Sequence, residues 1–183
     1  MKYSVYLPAF ATAVLLSACS SVPPSESVGL FKPSTSIQDI MLHIIDPNID
    51  YVWNSVATIS TAKGTEERRP QTDEEWQQLK QHALVVLEAS NLLLIEGRSV
   101  AQQPASTSSG GAELTAAEIQ KAIAANRSDY IQRAHALHKA TESVIAAIDH
   151  KNVEQLVETG GVVDQACEQC HSQFWYPNDK RPE

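Results

Sequence analysis

The sequence predicts an all-α protein, an antiparallel four-helix bundle, on three observations. Apolar residues recur at helical spacing through four long stretches. Residues that cap helix N-termini (Ser36, Thr72, Thr115 and Asn152) stand ahead of these stretches. No segment shows convincing alternation of apolar and polar side chains. A chain of 183 residues suits one domain with an ordinary core.

The first helix starts at Ser36, with Asp39 three residues on. Ile37, Ile40, Met41, Ile44 and Ile45 form one stripe, with Met41 near its middle. Pro47 cannot donate a helical hydrogen bond, so the helix is kinked or restarted there. Val52, Val56 and Ile59 carry an apolar face on to about residue 61. "GTEERRP" then breaks the chain. Thr72 and Glu75 form a capping box for a second helix over 73–96, whose face includes Trp76, Leu79, Ala83 and Val86 and which Gly97 ends. Residues 98–113 have loop composition. Thr115 and Glu118 make a second capping box. A single helix over 116–149 would be about 51 Å long against about 36 Å for 73–96. A break at 126–128 is therefore predicted, with Asn126 as cap, followed by a long third helix carrying Tyr130, Ala134, Leu137, Val144 and Ile148. Asn152 caps the fourth, which carries Leu156, Val163, Ala166, Cys167 and Cys170. Its Gly160-Gly161 pair reads either as a close approach of backbone or cofactor, or as a tolerated flaw.

Lys2 followed by the apolar run Val5–Leu16 has signal-peptide form and ends in Leu16-Ser17-Ala18-Cys19. This resembles the lipobox of bacterial lipoproteins. The resemblance implies removal of residues 1–18, lipidation of Cys19 and a tether over 19–34, rich in Ser and Pro. The domain proper would then span 35–177, with a tail at 178–183. The implied location is the periplasm, with a lipid anchor in the membrane, expected to be the outer one.

Fourteen basic against 22 acidic side chains give a formal charge of −8, and no basic run occurs. Nucleic acid is not an expected partner. No apolar segment reaches the length of a mature membrane span. Three cysteines are too few for a disulfide framework. No nucleophile–base pair or Gly-rich phosphate loop is present, and no enzymatic activity is expected.

The distinctive stretch is "DQACEQCHSQFWYP", residues 164–177, with Cys167, Cys170 and His171 in C-x-x-C-H spacing. That spacing is the attachment signature of c-type haem. Two thiols add to the two vinyl groups of one porphyrin edge, and the adjacent histidine ligates the iron. On a helix the three residues share one side within a turn. A zinc site would need a second ligand pair, and a thioredoxin-like pair would need a βαβ setting. The sequence has neither.

A C-terminal C-x-x-C-H on the last helix of an all-helical domain resembles the class II c-type cytochromes, cytochrome c prime and its methionine-ligated low-spin relatives. The resemblance covers about residues 35–176. It implies one covalent haem c, with thioethers at Cys167 and Cys170 and proximal ligation by His171. Phe174 stands where the family usually has an aromatic residue after the histidine, and is read as a cofactor contact or, like Trp175, as a core anchor that never touches the ring. Trp175 stands where a basic residue is common, which leaves Arg68, Arg69, Arg127 and Arg133 as candidate partners of the haem propionates. Class II relatives place their distal residue on the first helix, and the low-spin ones use methionine. Met41 is thereby the expected sixth iron ligand. His43, His82, His135, His138 and His150 are expected at the surface.

The resulting expectation is electron transfer between redox partner proteins by a lipid-anchored haem protein. A second reading is capture of nitric oxide or carbon monoxide at an open iron. A third is a structural lipoprotein without a cofactor.

Overall fold

The computed structural model describes Met1, residues 31–102 and residues 113–179. Residues 1–18, Cys19 and most of the 19–34 tether thus lie outside the described residues, apart from Met1 and residues 31–34. So do residues 103–112 of the expected loop and 180–183 of the tail. The chain divides into two units, Met1–Leu30 and Phe31–Glu183. Every element described belongs to the second.

Helix α1 is short, Ile37–Ile40. The Ser36 hydroxyl accepts from the Asp39 amide, and the Asp39 carboxylate accepts from the Ser36 amide, closing a capping box. The chain then widens into a π-helical turn, Met41–Ile45, before α2 runs from Asp46 to Asn54. Pro47 accounts for the widening. It has no amide proton, and its ring would press on a carbonyl one turn back. The Asp46 amide instead reaches the Met41 carbonyl, five residues back. The Asn48 side-chain amide donates to the Ile44 carbonyl at 2.7 Å. The predicted irregularity at Pro47 is thus a π turn within one nearly continuous helical run.

The extension to residue 61 does not occur. After Asn54 the chain enters an antiparallel hairpin, β1 Ala57–Thr61 and β2 Gly64–Arg68, with Ala57 opposite Arg68 and Thr61 opposite Gly64. Val52, Val56 and Ile59 happen to sit at helical spacing. The β-branched run Thr58-Ile59-Ser60-Thr61 favours a pleated strand, and Gly64, at φ +131°, supplies the backbone that the tight turn needs. The chain is therefore mostly helical with a small two-stranded sheet, which corrects the all-α expectation.

Helix α3 spans Asp73–Leu92 and opens with the Thr72–Glu75 capping box. It ends four residues earlier than predicted. Arg98 turns back and donates to the Leu92 carbonyl at 2.9 Å, placing a cation at the helix C-terminus. Helix α4, Ala116–Ala125, opens with the Thr115–Glu118 box, and α5 runs Arg127–Asp149 beyond the predicted break at Asn126. Helix α6 spans Val153–Phe174, and the Asn152 side chain accepts from the Gln155 amide.

Helices α3 and α6 pack along α5; α2 packs on α3 and meets α6 more sparsely. Between them Ile40, Ile45, Val52, Leu79, Val86, Tyr130, Val144, Leu156, Val163 and Phe174 are buried as one core. Full burial of such side chains is worth about 1.5–3 kcal/mol each. The ends are fastened by backbone bonds. The Ile37 and Gln38 amides donate to Ser99 and Val100 carbonyls at 2.9 Å, and the Leu114 amide donates to the Trp175 carbonyl at 2.8 Å. None of the described helices is long and apolar enough to cross a membrane.

Candidate functional site

Where α2 stands off α6, a cleft opens. Its cavity volume is about 190 Å³, smaller than the roughly 300–1,000 Å³ of pockets that enclose a small-molecule ligand. The π turn and α2 contribute Met41, Ile45, Asp46, Ile49 and Trp53 to its wall. Helix α5 contributes Tyr130, Arg133, Ala134 and Leu137. Helix α6 contributes Asp164, Ala166, Cys167, Glu168, Cys170, His171 and, just past its end, Trp175. Four of the predicted site residues, Met41, Cys167, Cys170 and His171, therefore line one cleft, the methionine on a different element from the other three.

Their local settings follow from the helices that carry them. Cys167, Cys170 and His171 fall at i, i+3 and i+4 on α6, so one turn presents all three to the cleft. Both cysteines are free thiols, half-buried beside the core. Burial pushes the Cys167 thiol up to about 12, with Asp164 and Asp46 adding to the rise. Burial also pushes Cys170 up to about 11, against the pull of the Arg133 guanidinium. At neutral pH both are therefore neutral thiols, unlike the thiolate of a redox-active C-x-x-C pair. The His171 ring meets Trp175 edge-on at 5.6 Å and lies 6.2 Å from Tyr176. Asp46 lines the cleft, although it is exposed as a whole residue. Desolvation there raises its carboxyl above the ordinary carboxylate value, and His171 pulls it back.

Phe174 is buried and does not line the cleft. It packs edge-on against Tyr130, ring centroids 5.5 Å apart, and so backs a residue that does. Among the four arginines named as propionate partners, Arg133 alone stands in the cleft wall. Arg127 donates to the Leu94 carbonyl, Arg68 pairs with Glu66 in the hairpin, and Arg69 lines a separate surface groove. His43, His135 and His150 are exposed. His82 and His138 are half-buried: His82 Nδ1 bonds Asn48 Oδ1 at 2.7 Å and its ring stacks on Tyr51, while His138 Nδ1 bonds Ser90 Oγ at 2.9 Å. The surface expectation is thus corrected for these two, which bind α2 to α3 and α3 to α5.

Trp53, Asp46 and Tyr130 are cleft residues that the sequence reading did not single out. Trp53 carries a usable signal in retrospect. Its indole N–H donates to the Gly160 carbonyl at 3.1 Å, so the glycine pair on α6 marks a close approach, at Gly160.

The chemistry of this donor set can be tested against bare metal and against haem. Among the described residues no group of three or more His, Cys, Asp or Glu side chains converges to hold a metal ion by itself. A haem needs less from the protein, since the porphyrin supplies four nitrogens and the chain only axial ligands. Two thiols, an adjacent imidazole and a thioether on another element are the donor types that demand calls for, and the cleft of about 190 Å³ would have to widen to admit the ring. Tyr130, one of the lining residues, has a fully buried hydroxyl without a hydrogen-bond partner among the described residues. Compared with known protein families, curated proteins and solved structures, the chain gives no match.

Proposed function

We propose that the cleft holds one covalent haem c and that the protein carries electrons between redox partner proteins. In this reading Cys167 and Cys170 form the thioether links, His171 is the proximal ligand and Met41 the distal one. The observation that carries it is the convergence on one cleft of the C-x-x-C-H residues from α6 and Met41 from the π turn. Haem c would supply a one-electron iron couple. The chain's own residues bind and shield: Ile45, Ile49, Ala134 and Leu137 give apolar walls, and Trp53 and Trp175 cover the sides. Exclusion of water by such walls, with methionine as a ligand, favours a raised reduction potential.

The same reading makes the π turn with α2, and α3, α5 and α6, an antiparallel four-helix bundle with the hairpin appended. The support is that α2, α3, α5 and α6 pack in that order, with the cleft between first and last. The lipobox-like Leu16–Cys19 would tether the domain to the periplasmic face of a membrane through Cys19.

Absorption spectra of the purified protein, oxidised and reduced, test the proposal. Electron transfer with Met41 bound predicts a low-spin spectrum in both states and no response to carbon monoxide. A high-spin spectrum that responds to carbon monoxide moves the reading to gas capture. A colourless protein from cells that mature c-type cytochromes removes it.

A further inference from the structure

A second groove lies on the same seam between α2 and α6. Val52 and Val56 border it from one side, and Leu156, Val157, Gly160 and Gly161 from the other. Trp53 and Asp164 line both the groove and the cleft, so the two meet at the Trp53 indole. The ring is held there by its hydrogen bond to the Gly160 carbonyl.

The groove presents apolar surface to solvent. Val157 is 56% exposed, in a helix that buries its neighbours Leu156 and Val163. Gly161 offers no side chain, and nothing among the described residues stands within 4 Å of where one would begin. Backbone and valine are thus open to close approach by another molecule. The surrounding charge has one sign. Helices α2 and α6 carry Asp46, Asp50, Glu154, Glu158, Asp164 and Glu168, and neither has a lysine or arginine. The ion pairs found among the described residues use none of Asp46, Asp50, Glu154, Glu158 and Asp164. A second copy would bring these carboxylates against themselves, and anionic lipid headgroups would meet the same repulsion. A small apolar centre with an acidic surround suits a cationic partner held briefly, since redox encounters bury little area and charge sets their rate.

Resting on the haem reading above, we propose that this groove is the docking surface for the redox partner, a one-electron redox protein whose exposed centre is ringed by lysine or arginine. Its apolar centre covers Val157 and Gly161. Its cations face the carboxylates of α2 and α6, and Trp53 stands between it and the cofactor. One electron crosses: the partner's metal centre is oxidised as the haem iron is reduced, or the reverse, and no bond or proton is exchanged.

The test uses the haem-loaded protein and, as probe, a basic mitochondrial cytochrome c, with electron exchange followed by stopped flow. Wild type, Val157→Lys, Asp50→Lys and Glu88→Lys are compared. Glu88 is exposed on α3, lines neither cavity, and its replacement changes the net charge as Asp50→Lys does. Val157 and Asp50 line no part of the cleft, so the haem spectrum should match wild type in all variants. The expected wild-type rate constant falls on the order of tenfold from low to high salt. Val157→Lys and Asp50→Lys should be slower than wild type by about fivefold or more, and Glu88→Lys by less than about twofold. Groove variants no slower than Glu88→Lys overturn the proposal, as does a wild-type rate that does not fall with salt. A dimer in solution that Val157→Lys dissociates assigns the face to a second copy and also overturns it. Haem staining of the wild type separates the two levels. Without stain the haem reading fails and this proposal with it; a stained protein whose groove variants behave like Glu88→Lys sinks this proposal alone.

Discussion

The Trp53 indole N–H donates to the Gly160 carbonyl at 3.1 Å, and a methyl group built on Gly160 would come within 3.3 Å of the indole ring. Gly161, next along α6, has nothing among the described residues within 4 Å of the same position. One glycine thus admits a cleft residue and the other has no neighbour to admit. Glycine costs a helix interior about 1 kcal/mol relative to alanine. Gly161→Ala is therefore expected to raise Tm by about 2–4 °C. Gly160→Ala gains the same propensity but must push Trp53 aside, so its Tm should fall below that of Gly161→Ala. Thermal unfolding of the two variants checks the order; equal gains would contradict the packing.

The raised Cys167 and Cys170 thiols give the haem-free chain a pH dependence. Their folded values, about 12 and about 11, lie above the ordinary 9.0. The folded state therefore favours the protonated thiol. That stability is fully present below pH about 9 and is lost as pH rises through 11 and beyond. Denaturant unfolding of haem-free protein at pH 8 and pH 11 should show the loss, reduced in Cys167→Ala/Cys170→Ala. Alkylation of the native thiols should be slow at pH 8 and rise on unfolding.

Asn48 joins the π turn to α3. Its amide donates to the Ile44 carbonyl and its oxygen meets His82 Nδ1, both at 2.7 Å. With the amide committed to Ile44, Asn48 Oδ1 accepts, so His82 carries its proton on Nδ1. Asn48→Ala loses both bonds and should cost about 1–2 kcal/mol by denaturant unfolding. His82→Ala should cost less, because the Asn48–Ile44 bond survives.

Much of this was legible in the sequence. The capping boxes at Thr72 and Thr115 and the caps at Ser36 and Asn152 are local hydrogen-bonding devices, and local devices are readable from spacing. Cys167, Cys170 and His171 are legible for the same reason, since i, i+3 and i+4 on any helix share a face. The hairpin was not, because Val56 and Ile59 satisfy a helical period by coincidence while the deciding feature is the turn at Gly64. Nor could Tyr130 be read as special: a tyrosine on an apolar stripe looks like core, and only tertiary packing leaves its hydroxyl without a partner among the described residues. Arg133 differs from Arg68 and Arg127 only in where the folded helices put it.

Met41 lines the cleft from the π turn, a rare widening that often accompanies function. Met41→Ala should convert a low-spin spectrum towards high spin and admit carbon monoxide, and the reduction potential should fall as the methionine ligand is lost. Met41→Leu keeps the volume and should give the same spectral change. An unaltered spectrum in both variants would show Met41 to be core filling.

The central claim is that Cys167 and Cys170 bind a haem covalently. It is tested most directly by intact mass of the denatured protein, expressed with cytochrome c maturation. The account predicts a mass increase of one haem that survives denaturation, with a haem-stained band on the gel, and its loss in Cys167→Ser/Cys170→Ser. A wild-type chain with two alkylatable thiols at residues 167 and 170 and no added haem mass would contradict it.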